Sequence, residues 1–365
     1  MRKPMYTLSP EAARRLLAAA PAVHVATTTA AGDPVFRTLN GVVVDEVIAF
    51  HGAPAGEKTL TLGRPCVVAW DETVASIPSW FIDPERACPA STYYRSVQVH
   101  GVLTEVHDRD RKGHLMAALM AARQPEGRHV PIAGEHPLYR KALDGLLVFE
   151  VSLGELTGKA KLGQNRSPEV LTRVLEHLWR RGEPGDPRAV DLVRAHNPPI
   201  PPPAFLRAPA GVTLHCAPEP TLAEQAARLL APQYWNTDLD EADIAAAHPG
   251  STAWVAATVT APTGETTLVA TARALSDRAK RAWIYDVCVA DAFRGRGLGK
   301  RVVEMLLDHP AVRAVRTVFL GTRDAQSLYG RFGFVPRAEL PPPPYVATEM
   351  VLRRATTVAG PGSGS

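Results

Sequence analysis

Asp286-Val287-Cys288-Val289-Ala290-Asp291-Ala292-Phe293-Arg294-Gly295-Arg296-Gly297-Leu298-Gly299-Lys300 is the stretch that decides the fold of the C-terminal half of this chain. Its start reads as the end of a strand covering Trp283–Val289, with β-branched residues in short alternation. A glycine-rich turn follows, and then Val302, Val303, Met305, Leu306 and Leu307 recur at helical spacing. Glycines let backbone N–H groups approach a diphosphate closely, and the start of a helix adds partial positive charge. Arg294, Arg296 and Lys300 add cations for the same ligand. Spacing excludes two other phosphate loops. One needs Gly at 294 and Ser or Thr at 301, where arginines stand; the other needs Gly-x-Gly-x-x-Gly, whereas Gly295, Gly297 and Gly299 are evenly spaced.

Outward from this loop, the C-terminal half predicts a helix over roughly 221–231 and a hairpin of Thr252–Thr260 with Thr267–Leu275. A strand at Val315–Leu320, a helix from Ala325 and a last strand at Thr348–Leu352 after Pro341–Pro344 complete the pattern. This is one α/β domain. Six prolines between positions 198 and 209 mark a boundary of extended, semi-rigid chain. The division is therefore 1–197, a proline-rich linker 198–210, a second domain 211–355, and a Gly/Ser-rich tail 356–365 expected to be disordered.

The N-terminal half opens on Ser9-Pro10-Glu11, the cap and first turn of a helix. Short β-branched runs follow at Val23–Thr28, Val35–Leu39, Val42–Val44, Val47–His51, Cys66–Trp70, Ser96–Glu105 and Leu146–Val151. They predict an antiparallel barrel. A helix begins at Ser167-Pro168-Glu169, with Val170, Leu171, Val174, Leu175 and Leu178 on one face and Gly182 as its stop.

Across 365 residues, 45% hydrophobic and 21% charged residues exclude disorder for the bulk of the chain. The 41 basic and 37 acidic residues form no basic block, which argues against nucleic acid and suits a small anionic ligand. Cys66, Cys88, Cys216 and Cys288 are too scattered for a disulfide framework or a structural zinc site, and no metal is expected. The chain has no run of about 18 apolar residues, and Glu11, Arg14 and Arg15 interrupt any signal-like core. A cytoplasmic protein without a membrane span is expected.

Strand followed by Arg-x-x-Gly-x-Gly resembles the acetyl-CoA pyrophosphate loop of the GNAT N-acetyltransferases. Asp324-Ala325-Gln326-Ser327-Leu328-Tyr329-Gly330-Arg331-Phe332-Gly333-Phe334 resembles that family's second signature, about 30 residues downstream. The resemblance covers about 211–354. It implies direct acetyl transfer from acetyl-CoA to the amine of a small molecule, with CoA held by 294–300 and Asp324. Tyr329 would protonate the departing thiolate, and amides near Cys288 and Val289 would hold the acetyl carbonyl. Cys288 itself reads as a small core residue rather than a nucleophile. Asp286, two residues earlier on the strand, either takes the amine's proton, directly or through water, or makes a structural hydrogen bond. Tyr234 and Trp235 either shape the acceptor pocket or pack in the core.

In the N-terminal half, Arg37-Thr38-Leu39-Asn40, Phe50-His51-Gly52-Ala53 with Gly56-Glu57-Lys58, and Tyr94-Arg95-Ser96-Val97-Gln98 occur in order. They resemble FMN-contacting segments of the pyridoxamine 5′-phosphate oxidase-like split barrels, closest in flavour to the nitroimidazole-resistance type. Lys161-Leu162-Gly163-Gln164-Asn165-Arg166 resembles a late segment of flavin-binding regulator-like barrels. The coverage is about 1–180. Arg37 and Lys58 supply cations for a phosphate monoester, Thr38 and Ser96 supply hydroxyls, and backbone at Leu39 and Asn40 could reach the ring edge. The resemblance adds His51, Tyr94, Arg95 and Gln98 to the site and implies a homodimer with FMN at its interface. Haem or F420 in place of FMN, and a barrel serving only as a dimerisation or ligand-binding module, stay open. The whole reads as an FMN-binding split barrel joined to an α/β acetyltransferase domain, the two acting on one metabolite or on related ones.

Overall fold

The computed structural model describes residues 4–341 together with 348, 350 and 352. Helix α1, Pro10–Ala19, starts where Ser9 accepts the Ala12 N–H at 3.2 Å. Strands β1 Val23–Thr28, β2 Pro34–Leu39, β3 Val42–Val44, β4 Val47–Gly52, β5 Pro65–Ile77, β6 Ser91–Val102 and β7 Thr104–Val106 follow. Then come α2 Arg109–Arg123, α3 Pro137–Asp144, β8 Leu147–Ser152, β9 Glu155–Lys161, α4 Pro168–Arg181 and α5 Asp186–His196. The antiparallel split barrel expected here is built of two antiparallel sheets, ordered β2-β1-β5-β6-β9 and β3-β4-β8-β7. They face each other across one core in which Val68, Val97 and Val99 of the first sheet meet Ile48, Phe50 and Val151 of the second.

Leu103 is where the chain passes from one sheet to the other. Its N–H donates to Arg64 O and its carbonyl accepts from Gly63 N–H, so the run expected as one strand, Ser96–Glu105, breaks there into β6 and β7. Helix α2 was not expected. Two of its buried positions are Lys112 and Gly113, which spoil the apolar period. A Cβ at Gly113 would stand 2.7 Å from Gly134 N, and the Lys112 Nζ donates to the Leu143 and Leu146 carbonyls. α4 runs as expected and ends on Gly182, whose φ of 71° suits the left-handed cap.

β10 Val212–His215, α6 Ala223–Leu230, α7 Glu241–Ala247, β11 Ala253–Thr260, β12 Thr266–Ser276, β13 Arg281–Val289, α8 Leu298–Asp308 and β14 Thr317–Phe319 build the next part. Their sheet is ordered β10-β11-β12-β13-β14. α8 packs against β11, β12 and β13, while the α6–α7 pair packs with Cys288 of β13. The proline-rich segment is packed in place. Phe205 stacks on Trp179 of α4 at 4.7 Å, and Arg301 of α8 donates to the Ala204 and Arg207 carbonyls. Trp179 Nε1 also donates to Asp308, and Arg313 donates to the Trp179 and Arg180 carbonyls.

The described residues up to Leu320 form one compact unit, and those from Gly321 form a second that contains α9, Gln326–Gly330. Of the strand expected at Thr348–Leu352, positions 349 and 351 lie outside the described residues, and the expected tail lies wholly outside them. Among the described residues no helix is long and apolar enough to cross a membrane.

Candidate functional sites

β13 is paired unequally on its two sides. Against β12 it is antiparallel from Ala282 to Val289, but against parallel β14 only Arg281, Ala282 and Trp283 find partners. From Ile284 onward its outer edge has no strand partner among the described residues. Ala290 N–H donates to Val269 O at 2.8 Å, and antiparallel bonding alternates, so Cys288 faces Thr271 while Val289 turns its N–H and C=O toward the open edge. The Val289 carbonyl is capped there by Arg294 Nε at 3.2 Å. Of the two residues expected to offer an amide, Val289 has its N–H on the open edge and Cys288 has its own turned toward β12. The Cys288 side chain is buried, and burial pushes its thiol up from the usual range.

The open edge leads into the glycine loop. Gly295 and Gly297 adopt φ of 75° and 77°, and Gly297 caps α8, whose first turn holds no acidic residue. Those values lie in the left-handed region that side chains other than glycine rarely enter. The N–H groups of Leu298, Gly299 and Lys300 therefore point out of the helix start with no intrahelical acceptor. Arg294 pairs with Asp291 at 3.0 Å, and Arg296 lies 5.2 Å over the Phe293 ring. Loop and cations can take a diphosphate on backbone amides.

A β-bulge interrupts β12–β13 between Thr271 and Arg273, and Asp286 there has φ of 53°. The bulge turns the Asp286 carboxylate onto Arg273 Nε at 2.5 Å and Trp235 Nε1 at 3.1 Å. Its side chain is 6% exposed and gives one oxygen to each donor, which ties the loop carrying Trp235 to β12 and β13. The structural hydrogen bond, one of its two expected roles, is present. Trp235 stands edge-to-face with Tyr234 at 4.8 Å, and both are more than a third exposed. The Arg273 guanidinium lies 4.9 Å over Tyr285, which stacks at 6.1 Å on Trp283, itself stacked at 5.4 Å on Phe319. Sequence reasoning missed Arg273, Trp283, Tyr285 and Phe319. The signal was Trp-x-Tyr on a strand, two aromatics on one face between buried Ala282 and Ile284.

In the unit beyond Leu320, Tyr329 is a buried residue of α9 with its ring edge-to-face on Phe334 at 5.9 Å, and Asp324 is exposed beside Arg323.

In the N-terminal half the ten expected flavin contacts divide. Thr38, His24, Ala69, Gln98 and Thr157 form one row across the five-stranded sheet, and Tyr94 and Ser96 stand on the same outer face. Tyr94, Ser96 and Gln98 line a cavity of about 550 Å³ with His100, Thr157, Gly158 and Lys159. Arg37 and Leu39 alternate to the other side of β2. Arg37 is paired with Glu57 at 2.6 Å, next to Lys58, whose Nζ stands 2.6 Å from where a Cβ on Gly52 would be, beside exposed His51. Asn40 is exposed in the turn that follows.

Arg95 stands apart from the other nine. Strand alternation turns it away from Ser96, and it donates twice to Glu72, at 3.0 and 2.6 Å, while Arg188 of α5 takes the other Glu72 oxygen. Through Glu72 it ties the sheet to α5, on the face opposite Ser96.

Two family models match the chain. One, described as pyridoxamine 5′-phosphate oxidase, covers residues 9–160, and the other, described as the acetyltransferase (GNAT) family, covers 221–334. No curated protein matches it in sequence. Similar solved structures include a 5-nitroimidazole antibiotic resistance protein of Bacteroides thetaiotaomicron, at 16% identity over 42% of this chain and 86% of that one, TM-score 0.34. An FAD and haem binding protein of Mycobacterium smegmatis is 21% identical over 45% of this chain and 77% of that one, TM-score 0.34. A GNAT-family protein of Xanthomonas campestris is 31% identical over 36% of this chain and 93% of that one, TM-score 0.31.

Proposed function

Because the chain joins a pyridoxamine 5′-phosphate oxidase-like domain to a GNAT acetyltransferase domain, we propose that it transfers an acetyl group from acetyl-CoA to a small amine that carries an aromatic group. The observation that carries this is the unpartnered edge of β13 running into a positive-φ glycine loop at the start of α8. The diphosphate sits on the loop amides, and the thioester carbonyl receives the Val289 N–H. The amine nitrogen attacks that carbonyl carbon, the oxyanion is stabilised by the amide, and the C–S bond breaks. Tyr329 gives its phenolic proton to the leaving thiolate, and the proton lost by the amine passes to water. Trp235, held by Asp286, and the ladder of Tyr285 and Trp283 offer the acceptor flat apolar faces. Their neighbouring charges, Arg273 and Asp286, cancel one another, which suits an aromatic amine better than a polycation.

The reading extends to the N-terminal half, which holds a flavin, FMN in the first instance, in a homodimer. A bound flavin would supply hydride transfer on the same or a related metabolite. The cavity beside Tyr94, Ser96 and Gln98 falls within the 300–1,000 Å³ or so usual for ligand pockets. A second reading, a barrel that only dimerises or binds a ligand, is favoured by one observation: Glu57 neutralises Arg37. A visible spectrum taken after gel filtration separates the two: a retained flavin band supports the first, and a colourless protein after added FMN supports the second.

Release of free thiol from acetyl-CoA in the presence of aryl-alkylamines tests the acetyltransferase. Tyr329→Phe should lower kcat about 100-fold while leaving acetyl-CoA affinity unchanged. Full activity in that variant removes Tyr329 from the chemistry, and a protein that neither binds acetyl-CoA nor releases thiol ends the reading.

A further inference from the structure

Arg273 stands in the middle of the C-terminal sheet, across from Tyr285 of β13 on one side and Trp254 of β11 on the other. That pairing explains why its guanidinium lies 4.9 Å over the Tyr285 ring. Alternation alone would send Asp286, the residue after Tyr285, to the opposite face. The bulge and the φ of 53° at Asp286 bring its carboxylate round, so both neighbours meet Arg273.

The donors of this guanidinium can be counted one by one. Nε donates to Asp286 Oδ2 at 2.5 Å, and Nη1 donates to Ser251 Oγ at 3.4 Å. The Ser251 hydroxyl donates in turn to the Ala247 carbonyl at 2.7 Å, which fixes it as an acceptor for Arg273. Nη2 has no partner among the described residues, and it is not one of the buried polar atoms left without one. It therefore reaches solvent. In the planar fork Nη2 shares an edge with Nε, so it opens beside the Asp286 carboxylate, whose other oxygen holds Trp235 Nε1 at 3.1 Å.

Around this one unspent donor the exposed surface is aromatic. Trp235 and Tyr285 are each 37% exposed and Trp283 is 41% exposed, so a ligand has access to them. Where flat apolar faces surround a single placed polar group, that group fixes the orientation of the ligand. The Arg273–Asp286 pair carries no net charge, and a carboxylate on the ligand would stand against Asp286. A neutral oxygen fits instead. We infer that Arg273 determines the specificity of the acceptor site, and that the aromatic amine carries a neutral hydroxyl or ether oxygen that accepts a hydrogen bond from Arg273 Nη2. The inference rests on the acetyltransferase reading above and narrows its substrate class.

The test is thiol release from acetyl-CoA with 2-phenylethylamines substituted at the ortho, meta or para position. Pairs of similar size are compared at each position: hydroxyl with methyl, and methoxyl with ethyl. At one position at least, the oxygen compound of each pair should have a KM tenfold or more below that of its carbon partner, with kcat little changed. In Arg273→Lys, which keeps a cation beside Asp286 but lacks Nη2, that ratio should fall to about two. Calorimetric titration with acetyl-CoA checks that the variant is folded, and the matched pairs decide the matter in the parent protein if it is not. Equal KM within both pairs at every position overturns the inference and leaves an aromatic acceptor. A gain for hydroxyl without one for methoxyl also overturns it, because the ligand oxygen then donates, as it would to Asp286. An unchanged ratio in folded Arg273→Lys removes Arg273 from recognition. Thiol release with none of these amines, from a protein that binds acetyl-CoA, overturns the aromatic acceptor and the inference together. Failure to bind acetyl-CoA ends the acetyltransferase reading itself.

Discussion

The two halves of the molecule present their candidate ligands through different chemistry. In the C-terminal half the ligand meets backbone: the Val289 amide on an open strand edge, and the helix-start amides after Gly297. In the N-terminal half it meets side chains spread over β2, β6 and β9 of one sheet, and strand alternation sorts them onto two faces. A backbone site is written in consecutive residues, so its sequence pattern and its geometry coincide. A side-chain site on strands is written in every second residue, and a contiguous motif such as Tyr94-Arg95-Ser96 necessarily includes a residue that points elsewhere.

The sharpest break of this comparison is at Gly297. A side chain there would meet open space but would have to adopt φ of 77°, and on the proposed reading a carboxylate would lie where the diphosphate is to bind. Gly297→Glu should weaken acetyl-CoA binding at least 100-fold by calorimetry. Flavin retention should be unchanged. A loss of flavin in that variant would mean that the halves do not bind independently.

Arg95 tests the alternation argument, with a smaller effect. Its guanidinium is 13% exposed and joins Glu72 and Arg188 in one network. Arg95→Ala leaves Glu72 short of a partner and should cost about 2 kcal/mol of stability in denaturant unfolding. FMN affinity, corrected for the unfolded fraction, should not move. A variant of full stability that fails to bind FMN would return Arg95 to the cofactor site.

The same contrast explains how much could be read without coordinates. The 286–300 loop and the α4 helix with its Gly182 stop were legible because their signals are local. The division of the ten flavin residues was partly legible, since alternation is a property of any strand, but which face is inner depends on the partner sheet. The bulge at Asp286 was not legible. It arises from a register shift against β12, and only that shift brings Arg273, thirteen residues away in sequence, onto the carboxylate. Nor was the change of sheet at Leu103, which depends on hydrogen bonds to the turn at Gly63–Arg64.

The last effect, spread over a pH range, concerns the packing between α4–α5 and the C-terminal sheet, where imidazoles collect. His309 lies edge-on to Trp179 at 5.5 Å and accepts the Ala311 N–H on Nδ1, while His215 bonds Thr258 Oγ1 at 2.8 Å. Burial is the main cause that pushes each down to about 4, with Arg278 and Arg313 acting on His309 and Arg194 on His215. A depressed folded value means that the neutral imidazole stabilises the fold above the unfolded value of about 6.5, and that this contribution is lost as pH falls toward 4. Asp191 opposes them. Burial raises its carboxyl to about 6, so its contribution is present below about 3.8 and fades as pH rises through 6. Two imidazoles against one carboxyl leave a net loss of about 1–3 kcal/mol on acidification from pH 7 to 4.5, read as a lower melting temperature. His309→Gln, which keeps an acceptor for Ala311, should flatten that pH profile without altering acetyl-CoA affinity. An unchanged slope would place the acid sensitivity outside this packing and leave the two halves joined by contacts that do not titrate in that range.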